Sequence, residues 1–192
     1  DVIGFVFWSK NFDPFAGILE EITRRGFPWY GLWTITGLGT EFEPNLPPLD
    51  QRIDHFISLT KRFGPNRFTW RFDPIMLTSV CDETRTLSRF SQLCSRLSGS
   101  TTECITSFVQ FYGKVRRRFA ALRGQTGIEV TDPPVEEKRA LLCRMAELSG
   151  AHGIRLDVCC QDELVSGPVG KAHCVDIDRL QAVARGHEQV AE

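Results

Sequence analysis

The chain has 192 residues, a formal net charge of −1 and 42% hydrophobic residues. This length suits one domain with a substantial core, and the balanced charge argues against an extended basic surface for nucleic acid or for a membrane. Seven cysteines without the spacing of a disulfide framework favour reduced thiols and a cytoplasmic protein. No apolar run is long enough to cross a bilayer, so no membrane partner is expected.

The first third of the chain alternates between strand and helix patterns. Residues 2–8 form a near-continuous apolar run, which is typical of a strand buried on both faces of a parallel sheet. Asp13 and Pro14 mark the start of a helix that ends at Gly26. The next predicted elements are a strand at 29–36, a Gly- and Pro-rich loop at 37–48 and a helix at 49–63.

The stretch over residues 67–77 has the clearest strand pattern, because its side chains alternate with period two. Its aromatic residues share one face and require a layer of helices there: Phe68, Trp70 and Phe72. Thr69, Arg71 and Asp73 share the other face. Pro74 is expected to stop the ladder, since proline has no N–H to donate. A charged pair at the carboxyl end of a strand is typical of an active-site rim, although a structural Arg–Asp bridge gives the same pattern.

The rest of the chain continues the alternation. After a helix capped by Asp82, the predicted elements are a strand at 104–109, a basic helix at 111–122, a helix at 135–149, a strand at 154–159 and a last helix from about residue 176. Strict alternation with short connections implies right-handed crossovers and a parallel sheet. Five strands are too few for an eight-stranded barrel.

We therefore predict one α/β domain over residues 1–192, a partial or incomplete (β/α) barrel with parallel strands. The alternative is an open doubly wound α/β sheet. Because the chain starts inside a predicted strand without Met, we expect it to be a fragment of a longer protein.

In either architecture, functional side chains gather beyond the carboxyl ends of the strands. The charged candidates there are Lys10, Arg71 and Asp73, which we predict to act as catalytic residues. Hydroxyl groups that would hold a ligand are offered by Thr34, Thr36, Ser107 and Tyr112. Such a rim suits a small polar or anionic substrate through charge-assisted hydrogen bonds. The alternative for Lys10 is the solvated end of an element, since exposed lysine is the rule.

Four soft ligands lie close together in sequence, at Cys159, Cys160, His173 and Cys174. Such a set would suit zinc or an iron centre. The spacing matches no recognised ligand pattern, however, and neighbouring cysteines in a strand point to opposite faces. We therefore predict no metal site formed by this chain alone.

A basic cluster on the helix at 111–122 contains Arg116, Arg117 and Arg118. Such a cluster would bind a phosphate or the backbone of a nucleic acid. The simpler interpretation is a solvated helix face, because the net charge offers no extended basic track elsewhere.

Six short motifs, spread in register over almost the whole chain, carry a family resemblance. They are FWSKN at 7–11, EPN at 43–45, PPL at 47–49, WRFDPI at 70–75, SFV at 107–109 and CVD at 174–176. Together they resemble domain-of-unknown-function family 1848. The resemblance implies a barrel-like fold. Members carry, beyond the region that corresponds to Glu192, a cysteine cluster reminiscent of radical S-adenosylmethionine enzymes such as spore photoproduct lyase.

The resemblance implies a 4Fe-4S cluster, S-adenosylmethionine and reductive radical chemistry, with the cluster ligands outside this chain. Two acidic positions of the family pattern are Gln110 and Gln161 here, which puts activity in question. The sequence thus predicts the barrel portion of a radical S-adenosylmethionine-like iron–sulfur enzyme acting on an unknown polar or anionic substrate. The alternative is a non-catalytic module that binds nucleic acid or a phosphate ligand.

Overall fold

A computed structural model describes residues 2–188 of the chain, with the side chains described up to residue 185. Within this range the chain forms eight strands: β1 (Phe5–Ser9), β2 (Trp29–Thr34), β3 (Phe68–Ile75), β4 (Leu77–Thr78), β5 (Glu103–Phe108), β6 (Val130–Thr131), β7 (Arg155–Cys159) and β8 (Gly170–Ala172). Six of them build one parallel sheet in the order β1-β2-β3-β5-β7-β8. The other two, β4 and β6, form a small antiparallel ribbon.

The helices of the described residues are α1 (Ala16–Arg24), α2 (Leu49–Phe63), α3 (Glu83–Leu97), α4 (Gly113–Thr126), α5 (Val135–Gly150) and α6 (Ile177–Glu188). Asp82 caps α3 as predicted, because its Oδ1 accepts a 2.9 Å hydrogen bond from the Arg85 backbone N–H. None of these helices combines the length and the apolar character needed to cross a bilayer.

One face of the sheet is covered by α1, α2, α3 and α5. The alternation in β3 explains this packing, since Phe68, Trp70 and Phe72 all enter the buried core on that side. The ring of Trp70 stacks on Phe90 of α3 with 5.2 Å between centroids. Its Nε1 donates a 2.9 Å hydrogen bond to the Ile35 carbonyl, so the indole is both buried and satisfied.

The opposite face, called the open face below, is covered only in part. Leu180 of α6 packs against Tyr30 and Leu32 near the amino ends of the strands. A Cβ at Gly4 would lie 2.9 Å from the Leu180 side chain, which shows how closely α6 approaches the sheet. The same buried cluster extends to Cys159 at the end of β7, but it does not include the polar side chains of Arg71 and Asp73 on β3.

The structure confirms the α/β fold with a parallel sheet. The strand order follows the chain, without the reversal that defines a doubly wound sheet. Most helices lie on one face, as in a (β/α) barrel. The sheet is open, because β1 and β8 are its edges among the described strands. These features agree with a parallel α/β sheet that is not closed into a barrel among the described strands.

Several details differ from the sequence prediction. The apolar run at 2–8 does not form a strand buried on both faces, because β1 is an edge strand of the sheet and its Trp8 is 48% exposed. The loop predicted around Gly170 contains the short edge strand β8, which pairs with β7. The ribbon of β4 and β6 was not predicted, because each strand has only two residues. Pro74 does not end β3: the register shifts between Phe72 and Ile75, and Ile75 then pairs with Phe108 of β5. Because Pro74 lies at this irregularity, the strand can continue although proline has no N–H to donate to the ladder.

Candidate functional site

Arg71 and Asp73 lie on the open face of β3, near its carboxyl end. Nη2 of Arg71 donates a 2.5 Å hydrogen bond to Oδ2 of Asp73. The hydroxyl of Ser107 on β5 donates to the other oxygen, Oδ1. The side chains of Arg71 and Asp73 are only 16% and 18% exposed, and Nε of Arg71 is buried without a partner among the described residues. The three residues form a half-buried polar triad.

The remaining predicted hydroxyl residues are spread around this triad. Thr34 is in register with Arg71 on the neighbouring strand and is buried on the same face. Thr36 is buried, and its Oγ1 accepts a 3.3 Å hydrogen bond from the Leu38 backbone N–H. Tyr112 is 61% exposed and immediately precedes α4. The structure therefore brings Ser107 and Thr34 to the triad, but places Thr36 and Tyr112 away from its hydrogen bonds.

Lys10 belongs to a second polar group, which follows β1. Its Nζ lies 2.6 Å from Oε1 of Glu43, in the loop between β2 and α2. Oε2 of Glu43 lies 3.3 Å from Nη1 of Arg52 on α2. Glu43 and Arg52 are buried, while Lys10 remains partly exposed. Two cations thus share the Glu43 carboxylate at the end of β1.

A cleft of about 470 Å³ opens beside Lys10, between the loop after β2 and helix α4. Three of its lining residues directly follow strands: Lys10 after β1, Met76 after β3 and Val109 after β5. Its walls also include Arg118 and Phe119 of α4. The cleft therefore lies beyond the carboxyl ends of the sheet, where ligands bind in α/β folds.

Sequence reasoning missed most of this cleft. It placed Arg118 in a basic cluster, interpreted as a solvated helix face or as a surface for phosphate or nucleic acid, and did not select Met76 or Phe119. Two signals were present. Met76 and Val109 lie at or next to the last residue of the predicted strands 67–77 and 104–109, and Val115 and Phe119 stand four residues apart on one side of α4.

The arginines of the basic helix do not act as one surface. Nε of Arg116 donates a 2.7 Å hydrogen bond to the Phe111 carbonyl, and its guanidinium lies over the Phe111 ring. Arg118 lines the cleft, and Arg117 is exposed. Within the described part of the chain, none of the three forms an ion pair with a carboxylate.

Three cysteines meet where β7 and β8 end. Sγ of Cys159 lies 2.8 Å from Sγ of Cys174 and 3.3 Å from Sγ of Cys160. All three sulfur atoms lie within 4.8 Å of one another. The prediction that Cys159 and Cys160 point to opposite faces is wrong, because Cys160 leaves the extended conformation with a φ of 59°. His173 is not part of this group among the described ligand atoms.

The three thiols differ in their surroundings. Cys159 is buried, Cys174 is half-buried and Cys160 is exposed. Burial raises the pKa of the Cys159 thiol, and the neighbouring thiols of Cys174 and Cys160 raise it further. A neutral thiol is therefore favoured at Cys159 as long as no cation compensates the charge of a thiolate.

The cysteine group and the polar triad lie in one band of the open face. Thr106 of β5 is in register with Val158 of β7, so the next residues along, Ser107 and Cys159, are neighbours on the open face. Ser107 also donates to Asp73. Neighbouring strands lie about 4.8 Å apart, so the cysteine sulfurs lie roughly 10 Å from β3.

Gln110 and Gln161, which stand at positions that the sequence resemblance gives as acidic, have different surroundings. Oε1 of Gln161 accepts a 2.6 Å hydrogen bond from the Phe108 backbone N–H, in a buried position. A carboxylate would accept the same bond, so the exchange preserves this tie between β5 and the end of β7. Gln110 is exposed.

The amino-terminal half of the open face is closed by a charged network. Oε1 of Glu103 accepts a 2.8 Å hydrogen bond from Arg155, and its Oε2 is paired with Arg179 of α6. Arg155 also donates to Asp157 over 2.7 Å. Burial raises the pKa of the Asp157 carboxyl despite this pairing. The network ties α6 to the sheet.

A family model described as "Domain of unknown function (DUF1848)" matches residues 1–191. Comparison with curated proteins and with solved structures gave no match. The family match spans nearly the whole chain and includes every residue of the triad, the cleft and the cysteine group. The chain therefore belongs to the DUF1848 family.

Proposed function

We propose that the chain is the barrel portion of a radical S-adenosylmethionine-like iron–sulfur enzyme that acts on a small polar or anionic substrate. The observation that supports substrate binding is the cleft at the carboxyl edge of the sheet, whose lining combines two cations, Lys10 and Arg118, and two carboxylates, Glu41 and Glu43, with apolar side chains. The reaction class comes from the sequence resemblance. A volume of about 470 Å³ is in the range of small-molecule sites.

The chemistry of the cleft defines the class of ligand. The Lys10 ammonium has three N–H donors and uses one on Glu43, which leaves two for an anionic group. Arg118 adds a second cation to the lining, while Met76 and Phe119 offer apolar surface. A ligand with an anionic group beside Lys10 and Arg118 and an apolar body would match this lining, provided that the anionic group stays away from the Glu41 carboxylate, which also lines the cleft.

The polar triad would help to orient such a ligand. Pro74 lines the cleft and directly follows Asp73, so the triad lies behind the cleft wall. We assign Arg71 and Asp73 a catalytic role together with Lys10. Thr34, Thr36, Ser107 and Tyr112 would hold the cofactor, and Ser107 and Thr34 are the two that lie on the open face near the triad.

The described cysteines do not fit the implied 4Fe-4S cluster. In such a cluster each thiolate binds a different iron, which spreads the sulfur atoms further apart than the ligands of a single ion. The three sulfurs at Cys159, Cys160 and Cys174 lie within 4.8 Å of one another. On this proposal the cluster ligands come from a segment outside this chain, and no chemical step is assigned to the cluster.

The test uses the full-length protein, reconstituted anaerobically with iron and sulfide and then mixed with S-adenosylmethionine and dithionite. We expect 5′-deoxyadenosine, measured by mass spectrometry. Lys10→Ala should weaken binding of S-adenosylmethionine or of substrate by about tenfold or more, because a charge-assisted hydrogen bond is lost. Lys61→Ala, on the exposed side of α2, is the matched control and should behave as wild type. Reconstituted protein that neither binds nor cleaves S-adenosylmethionine would overturn the proposal.

The alternative is a module that binds nucleic acid through Arg116, Arg117 and Arg118. It is supported by the absence of carboxylate partners for these three side chains in the described structure. Anisotropy of a labelled oligonucleotide tests it. Binding that falls steeply with salt and is lost in Arg117→Ala would favour this alternative, because Arg117 does not line the cleft.

A further inference from the structure

The three thiols at the ends of β7 and β8 have no role in the proposed substrate site. Cys159 is the last residue of β7 and pairs with Ala172, and Cys174 follows two residues later. Parallel pairing of the two strands therefore delivers both sulfurs to one place, 2.8 Å apart. Cys160 contributes the third sulfur from the residue after β7.

The backbone conformation of Cys160 brings its sulfur close to those of Cys159 and Cys174. Among residues 2–188, Cys160 is the only non-glycine residue with a positive φ, 59°. Such a conformation is unfavourable for a residue with a side chain, and it persists only where the surroundings enforce it. Here it turns the thiol back until the sulfur lies 3.3 Å from that of Cys159. An extended residue at this position would direct the thiol to the opposite face.

The sulfur spacing fits a single metal ion. Zinc–sulfur bonds are about 2.3 Å long, so two thiolates on one tetrahedral ion lie about 3.8 Å apart. The two observed separations, 2.8 and 3.3 Å, are shorter than this value by 1 Å or less, and the third sulfur pair lies within 4.8 Å. Small side-chain rotations would bring all three sulfurs into the coordination shell.

The surroundings leave one coordination position open. No fourth Cys, His, Asp or Glu ligand atom joins the group in the described residues. Cys160 is exposed, so the ion would be reached from solvent, and Ser107 lies beside Cys159 on the open face. Zinc sites with three protein ligands and one open position bind water or substrate there, unlike closed structural sites.

We propose that Cys159, Cys160 and Cys174 bind one thiophilic divalent ion, best matched by Zn²⁺. The fourth coordination position of this ion is not filled by any of the described residues and lies on the open face of the sheet. The site is independent of the iron–sulfur cluster that the resemblance implies. It also revises the sequence prediction that this chain forms no metal site. Thiolates select soft ions, and the compact spacing favours one ion over a cluster.

Cobalt titration of the full-length protein, reduced and not reconstituted with iron, tests the site without depending on the radical reaction. We expect one Co²⁺ per chain, a sulfur-to-cobalt charge-transfer band and the visible bands of tetrahedral cobalt, all removed by an equivalent of Zn²⁺. Cys159→Ser and Cys174→Ser should abolish these bands, and Cys160→Ser should weaken binding. Cys143→Ser, which changes a half-buried thiol of α5 outside the group, is the control and should keep them.

Circular dichroism of each variant checks folding, and the exposed Cys160→Ser variant keeps the test valid if burial makes Cys159→Ser unstable. Bands that persist in Cys174→Ser, with cobalt affinity unchanged in Cys160→Ser, would overturn the proposal, as would folded, fully reduced wild type without a cobalt spectrum. The closeness of the two sulfurs could instead serve a disulfide between Cys159 and Cys174. Rapid alkylation in cells followed by mass spectrometry tests this redox alternative. A Cys159–Cys174 disulfide in that experiment would also refute a resident metal ion.

Discussion

Replacing Arg71 by alanine tests how far the polar triad contributes to folding as well as to binding. The change leaves Asp73 with the Ser107 hydroxyl as its remaining side-chain donor. Exposed ion pairs contribute roughly 0–1 kcal/mol, whereas breaking a buried pair costs about 3–5 kcal/mol. The pair is 16% and 18% exposed, which is closer to the buried case, but Asp73 keeps one donor. We therefore expect Arg71→Ala to lower the free energy of unfolding by about 2 kcal/mol.

The sequence alone predicts a smaller loss, of roughly 1 kcal/mol or less, because Pro74 was expected to end the strand and leave the pair at an open rim. The continuation of β3 to Ile75 buries the pair further and raises the expected loss.

Urea unfolding measures the difference. With a slope near 2 kcal/mol/M, a loss of 2 kcal/mol lowers the midpoint by about 1 M. Arg96→Ala is the matched control, since Arg96 pairs on the surface with Asp50, which is 81% exposed. This control should cost about 1 kcal/mol or less. An Arg71→Ala loss no larger than the control would refute the burial argument, and a loss above about 4 kcal/mol would identify a structural bridge.

Three further outcomes are expected. Gly170→Ala should lower the free energy of unfolding, measured by urea unfolding, by about 2 kcal/mol, because the new Cβ would clash with Oδ1 of the buried Asp157. Gly113→Ala is the control, since the space around its Cβ is open. A thiol reagent at about pH 8 should modify exposed Cys160 first and spare Cys94, whose pKa burial raises to about 12. Burial raises the pKa of the Asp157 carboxyl in the native state above its value in the unfolded chain. The native state therefore loses stability as the pH rises above about 4, where Asp157 must ionise in its buried position. Urea unfolding at a series of pH values should show this loss in the wild type and not in Asp157→Asn.

The sequence was sufficient to predict the central strands of the sheet and the face on which their side chains lie. Burying a strand on one face and exposing polar groups on the other imposes a period of two, so the pattern around Trp70 and Arg71 determined which side each residue takes. It was insufficient for β8, because the three residues Gly170–Ala172 are too few to show a period. That segment is a strand only because it pairs with β7.

The candidate site divides in the same way. Lys10, Arg71 and Asp73 follow from the rule that functional groups gather at carboxyl strand ends. The cysteine group does not, because it depends on the positive φ of Cys160, and a local sequence without glycine gives no sign of it. Which strand end reaches which loop is also a tertiary property, so the ion pair between Lys10 and Glu43 could not be derived from their separation in sequence.

The strand order has a consequence for how the chain acquires its structure during synthesis. In the main sheet, each strand after β1 pairs with the sheet strand that precedes it in the chain. When a strand of the main sheet leaves the ribosome, the neighbouring strand with which it pairs has already been synthesised. Pairing between nearby segments keeps the entropy of loop closure low and favours growth from the amino terminus. The cysteine group is then among the last features to assemble, because it requires both β7 and β8.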